Sequence, residues 1–267
     1  MTFAGTTRLR RNHIFRLAPQ AGCAGGRAMI RRSRVIEFIF MLTHDDVTAD
    51  NALAVYEQVR GTDLKYVGFK DIGASPAQLT EITRRAHEDG REVMLEVVST
   101  SASDELRSIE MAPQIGVDWV LGGTHVTEAL PKLRGSAIRY CPFPGRVTGH
   151  PSILTGDITE IADSARTLSS LNGVHGLDLL TYRHPSADPE ALTSAVADAS
   201  AGPVIAAGSV EAEEQIQLLA RSGAWAFTIG SAIFEGLLPG GPAFDTQVRC
   251  VLKAAGHSRS QADRPQS

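Results

Sequence analysis

The feature that most constrains this chain is an alternation repeated eight times along it. Short runs rich in β-branched and aromatic residues are each followed by a stretch with apolar residues at helical spacing. The runs are VIEFIFML (35–42), LKYVGFK (64–70), EVMLEVV (92–98), VDWVLG (117–122), AIRYCPF (137–143), VHGLDLL (174–180), PVIAAG (203–208) and WAFTIG (225–230). Helical patterns follow them at 49–60, 75–90, 104–116, 127–133, 158–171, 189–200, 211–223 and 242–255. Several begin with capping chemistry, as at Ser75-Pro76 and Asp104, and two end at Gly90 and Gly223.

Eight such units in 267 residues close most simply into a single-domain (β/α)8 TIM barrel, an α/β fold with parallel strands inside and helices outside. An open doubly wound sheet is the rival, but its usual GxGxxG turn after the first strand is missing. The barrel is expected over 34–256. Residues 1–33 hold Arg8, Arg10, Arg11, Arg16, Arg27, Arg31 and Arg32, with no acid before Glu37. They lack the apolar core of a secretory signal and read as a basic, disordered leader, with Met29 an alternative start. The polar tail, 257–267, is expected to be loose as well.

Composition narrows the function classes. At 43% hydrophobic residues the chain can fill a large core, which excludes disorder over most of its length. A net charge of −4 gives no general attraction to nucleic acid. No apolar run reaches the roughly 18–20 residues that span a bilayer, so no membrane partner is expected. Cys23, Cys141 and Cys250 are widely spaced and form no CxxC, which fits a reduced, cytoplasmic setting without a zinc site. The outer helices of such a barrel leave a homodimer open.

Barrel chemistry sits at the C-terminal strand ends, and the loops after strands 7 and 8 often hold phosphate. Here the seventh run ends in Gly208-Ser209 and the eighth in Gly230-Ser231. Glycine lets the backbone approach an anion, and serine adds a hydroxyl donor. A small phosphorylated substrate is the expected partner.

The segment PVIAAGSVEAEEQIQLLARSGAWAFTIGSAI resembles the strand 7 to strand 8 region of the ribulose-phosphate-binding barrel superfamily, in particular that of N-acetylmannosamine-6-phosphate 2-epimerases. GFK, ending at Lys70, and RVTGHPS (146–152) are further echoes. The resemblance implies a phosphorylated, sugar-like ligand and proton-transfer chemistry. One departure stands out: where the epimerases carry an acid before the strand 7 glycine, this chain has Ala206-Ala207-Gly208.

Acid–base groups are therefore sought at other strand ends. Tyr66, Gly68 and Lys70 share one face of the second strand, leaving Phe69 toward the helices. An ammonium at the barrel mouth can move a proton, polarise a carbonyl or form a Schiff base, unless it reaches solvent or pairs with Asp71. Glu96 interrupts VMLEVV and Asp178 interrupts GLDLL, so each carboxylate is expected to face the interior. Either one can act as base or serve as a structural ion-pair partner, Glu96 to Lys70 and Asp178 to Arg183 in the TYRH loop, and Glu96 can also serve as a metal ligand. Asp45 and Asp46 after His44 can bind a divalent cation such as Mg²⁺ or cap the first helix. The loop after strand 5 contributes Arg146 and His150 as candidate substrate-binding groups, and His125 follows strand 4. Trp119 and Trp225 are expected to pack in the core.

These residues point to a sugar-phosphate epimerase or isomerase working through proton abstraction and an enediolate, with no required cofactor. A lyase, aldolase or decarboxylase, on a similar substrate is the alternative, as is a catalytically silent barrel that binds a phosphometabolite.

Overall fold

The computed structural model describes residues 35–257; the expected leader and the last ten residues of the tail lie outside the described residues. Eight parallel strands are ordered β6-β7-β8-β1-β2-β3-β4-β5 around a barrel. They are β1 (Glu37–Met41), β2 (Tyr66–Lys70), β3 (Glu92–Val97), β4 (Trp119–Gly122), β5 (Arg139–Cys141), β6 (Leu177–Leu179), β7 (Val204–Ala206) and β8 (Ala226–Ile229). The last seam, between β5 and β6, closes through a bridge of Tyr140 to Val174. Backbone bonds from His175 N–H to the Tyr140 carbonyl (2.8 Å) and from Asp178 N–H to the Pro142 carbonyl (3.0 Å) complete it. The fold is the (β/α)8 barrel that the alternation predicts.

The outer layer comprises α1 (Ala52–Val59), α2 (Pro76–Glu88), α3 (Ala102–Ile115), α4 (Val126–Leu133), α5 (Ile158–Ser169), α6 (Pro189–Ala199), α7 (Glu213–Arg221), a one-turn α8 (Ser231–Phe234) and α9 (Phe244–Ala254). Their starts follow from local chemistry. Ser75 forms a capping box with Gln78 ahead of Pro76, and Asp157 forms one with Glu160. At α3 the cap is Ser101, whose hydroxyl accepts the Asp104 N–H, so Asp104 sits inside the first turn instead of capping it. None of these helices is long and apolar enough to cross a membrane.

Alternation along each strand divides two cores. Phe38, Phe40, Val67, Phe69, Val93 and Leu95 turn outward and pack under the helices. Ile39, Met41, Met94, Leu121, Cys141 and Ile205 fill the interior. Trp119 joins the interior set at the first position of β4 and stacks on Trp225 with ring centroids 5.4 Å apart. The two indoles thus plug the N-terminal end of the barrel, and the polar residues collect at the other end.

Two features break the plain βα alternation. Thr43–His44 pairs antiparallel with Val47–Thr48 just after β1, and Arg146–Thr148 pairs with Ile153–Thr155 after β5. The second ribbon occupies the long loop that carries Arg146 and His150. Both lie over the C-terminal end of the barrel.

Candidate active site

Lys70 ends β2 with its side chain turned into the barrel, opposite Glu96 in the register between β2 and β3. Its Nζ lies 3.8 Å from Glu96 Oε2 and donates to Asp46 Oδ1. Asp71, the neighbour in sequence, instead accepts from Val98 N–H at 3.0 Å and from the Ser99 hydroxyl. Asp46 is the hub. Arg183, in the single 3₁₀ turn after β6 (Thr181–Arg183), grips it with two nitrogens, at 2.8 Å to Oδ1 and 3.0 Å to Oδ2. His150 Nδ1 stands 3.7 Å from the same carboxylate. The α1 cap position is Asn51, so Asp46 caps nothing.

The backbone explains how Asp46 gets there. Asp45 and Asp46 both have positive φ, 50° and 65°. Aspartate tolerates this region better than most residues, yet two in succession carry strain of about 1 kcal/mol or more each. The double left-handed turn sends the exposed Asp45 outward and the buried Asp46 inward.

Charge within this knot is unevenly held. Burial alone would raise the Asp46 carboxyl, but the Arg183 hydrogen bonds and the Lys70 charge outweigh it and hold the group far below the ordinary range. Burial works against the Arg183 guanidinium, and Asp46 reverses that in turn. Asp178 shows the opposite balance. It is wholly buried, neither carboxylate oxygen has a hydrogen-bond partner, and burial followed by the Glu96 charge pushes its carboxyl well above the usual range. Asp178 therefore holds its proton more tightly than an exposed aspartate does.

The two glycine–serine corners converge. Gly208, Ser209, Gly230 and Ser231 line one cleft of about 530 Å³ together with Lys70, Glu96, Asp46 and Arg183. A Cβ at Gly208 would stand 2.7 Å from Arg183 Nε, and one at Gly230 would stand 2.9 Å from the Thr43 carbonyl oxygen, so both positions need glycine for close approach. Ser209 holds φ 55°, and among the described residues the amide N–H groups of Ser209 and Val210 donate to nothing. Unpaired amides beside a lysine and an arginine are the donor set an anion requires.

The remaining sequence candidates are placed differently. Asp178 faces inward as alternation requires but does not line the cleft. Arg146 points away on the exposed ribbon, 3.5 Å from Glu160, because an edge arginine finds a solvent-side acid more easily than a buried one. His125 is tied to Glu105 at 2.8 Å. His44, Asp45 and the exposed Glu235 each bring one ligand atom within 4.8 Å of the others, the one grouping among the described residues with the donor set of a cation site. Asp46 belongs to the ion knot and not to that grouping.

No protein-family model matches the chain, and no curated protein matches it. Solved structures do. One is N-(5'-phosphoribosyl)anthranilate isomerase from Pyrococcus furiosus, at 14% identity and TM-score 0.56, covering 84% of this chain and 100% of that one. Another is orotidine 5'-phosphate decarboxylase from Pyrococcus horikoshii OT3, at 15% identity and TM-score 0.56, covering 82% and 99%. A third is the glycerol uptake operon antiterminator regulatory protein from Listeria monocytogenes str. 4b F2365, at 21% identity and TM-score 0.51, covering 73% and 91%. At these identities the likeness shows the barrel fold.

Two outcomes test the charge balance. Asp46→Asn leaves Lys70 and Arg183 without their counter-charge and is expected to cost about 3–5 kcal/mol in urea unfolding. Asp46→Asn combined with Lys70→Met should cost less than the two single changes added, since the orphaned ammonium is gone. For Asp178 the folded state keeps a proton that the unfolded chain releases above about pH 4. Its contribution to stability therefore falls as pH rises from about 4 through the raised folded value. Asp178→Asn should remove that slope, and a urea midpoint that tracks pH identically in variant and wild type would refute the assignment.

Proposed function

We propose that the cleft binds a small phosphorylated, sugar-like substrate and removes a proton next to its carbonyl, giving an enediolate that is reprotonated as an epimer or isomer. The observation that carries this reading is the convergence of both glycine–serine corners with Lys70 and Glu96 on one wall. In it the phosphate lies against the Ser209 and Val210 amides, the Ser209 and Ser231 hydroxyls and Arg183. Lys70 donates to the oxygen that gains charge, and Glu96, 3.8 Å away, takes the proton. Ala207 supplies no acid on β7, so the carboxylate on β3 does that work. Asp178 lies behind this wall, where burial and then the Glu96 charge push its carboxyl upward and disfavour a further negative charge next to Glu96.

This reading needs no cofactor; a divalent cation such as Mg²⁺ would fall to His44, Asp45 and Glu235. His150 covers Asp46 and leaves Arg146 no direct part. The isomerase and the decarboxylase among the similar structures act, by their names, on phosphorylated compounds, which favours an enzyme. A lyase that passes through the same enolate is the second reading, favoured by the decarboxylase. The regulatory protein keeps a binding-only barrel as a third outcome of the test.

The test is solvent-deuterium exchange into a panel of sugar phosphates. Wild type is expected to exchange one carbon-bound hydrogen of a preferred compound, and Lys70→Met to lose that exchange while keeping a cooperative melt. Thermal stabilisation by several phosphates without exchange into any would leave only a binder. The anion notch has its own check. Ser209→Ala removes the hydroxyl and is expected to weaken inorganic phosphate about tenfold. Ser209→Gly removes it as well while relieving the positive φ, so equal losses in the two variants assign the effect to the hydroxyl.

A further inference from the structure

A second cleft opens at the ends of β3 and β4, under the ribbon that follows β5. The two adjoin along the chain: Glu96 lines the first, and Val97 and Val98, the next residues, line the second. The ribbon reaches both, with His150 turned to Asp46 and with Thr148, Gly149 and Ser152 over the second cleft.

Its lining chemistry differs from that of the first. Ser99, Thr100, Thr124, Thr148 and Ser152 bring five hydroxyls, set against the apolar faces of Val98 and Phe143. No lysine, arginine or aspartate lines it, and its one carboxylate is spoken for. Glu105 Oε1 accepts the Thr124 and His125 amides at 2.8 and 2.7 Å, and Oε2 lies 3.2 Å from the Thr124 hydroxyl and 2.8 Å from His125 Nδ1. The cleft is therefore unsuited to an anion. The floor is kept open at Gly123, where a Cβ would stand 2.8 Å from Glu105 Oε1 and 3.2 Å from the Tyr140 hydroxyl. That hydroxyl is buried and lacks a hydrogen-bond partner, a polar atom held directly behind the floor.

We infer that this cleft receives the uncharged, polyhydroxylated end of the substrate whose phosphate lies at the β7 and β8 corners. The Ser99 and Thr124 hydroxyls donate to Asp71 and Glu105 and keep acceptor capacity, while those of Thr100, Thr148 and Ser152 can both donate and accept. Facing an aromatic and an aliphatic wall, this set matches the alternating O–H and C–H surface of a sugar chain. The inference rests on the phosphate reading above and extends it. The substrate is longer than a three-carbon phosphate, and the ribbon after β5 selects it by its hydroxyls.

Calorimetric binding on the full chain tests this with inorganic phosphate, glycerol 3-phosphate, fructose 6-phosphate and unphosphorylated fructose. Wild type is expected to bind fructose 6-phosphate about tenfold or more tightly than glycerol 3-phosphate. Thr148→Val combined with Ser152→Ala should erase most of that gain while inorganic phosphate binds as before. Thr148 is exposed, so Thr148→Val alone provides a variant with little risk to folding. Equal affinity for the three- and six-carbon phosphates, or a gain untouched by these changes, overturns the inference and leaves the phosphate reading standing. Failure of inorganic phosphate to bind, with fructose still bound in a Thr148-dependent way, sinks the phosphate reading and keeps the cleft. No binding by any of the four compounds overturns both.

Discussion

The barrel mouth is organised by one buried carboxylate that answers two cations. Asp46 receives Lys70 from β2 and a two-pronged Arg183 from the turn after β6, which ties three separate parts of the rim together. Taking three charged groups out of water is unfavourable, and their mutual attraction offsets this only when geometry and hydrogen bonding are nearly complete. Here they are, because two successive residues accept a left-handed backbone to deliver the carboxylate. Strain after β1 is thus exchanged for order across the mouth. The same carboxylate holds Arg183 against Gly208, so the glycine–serine corner of β7 and the Lys70–Glu96 wall share a support.

The polar groups at this end are graded, not merely gathered. The cations around Asp46 hold its carboxyl below the ordinary range, whereas Asp178 has no hydrogen-bond donor and burial pushes its carboxyl well above that range. Two carboxyls at the same end of the barrel are thus shifted in opposite directions by their surroundings. Glu96 lies between these environments, close to Lys70 yet on the surface of the cleft. Below them the interior turns apolar within a single turn of the pleat and ends in the Trp119–Trp225 stack. The open, polar part of the barrel is thereby limited to its C-terminal end.

Much of the frame was legible because it depends on local periodicity. Alternation along β2, β3 and β6 places Lys70, Glu96 and Asp178 inside, and the glycine–serine dipeptides mark the two corners that meet. The direction of Arg146 was not legible, because a loop arginine after strand 5 carries no directional signal; the loop's hairpin pairing places it beside Glu160. The ribbon pairing itself could not be read from PFPGRVTGHPS, whose proline and glycine residues suggest a turn-rich loop more strongly than a strand pair.

By itself the sequence determined the barrel, the inward faces of its strands and the late pair of corners, since each is set by residues a few positions apart. Only the tertiary structure decided which charges meet. Asp46 and Arg183 lie 137 residues apart, and nothing in either neighbourhood names the other. Their pairing follows from barrel closure, which brings the end of β1 and the turn after β6 to the same rim. The full burial of Asp178 was decided the same way, because a side chain's access to water depends on every strand that encloses it.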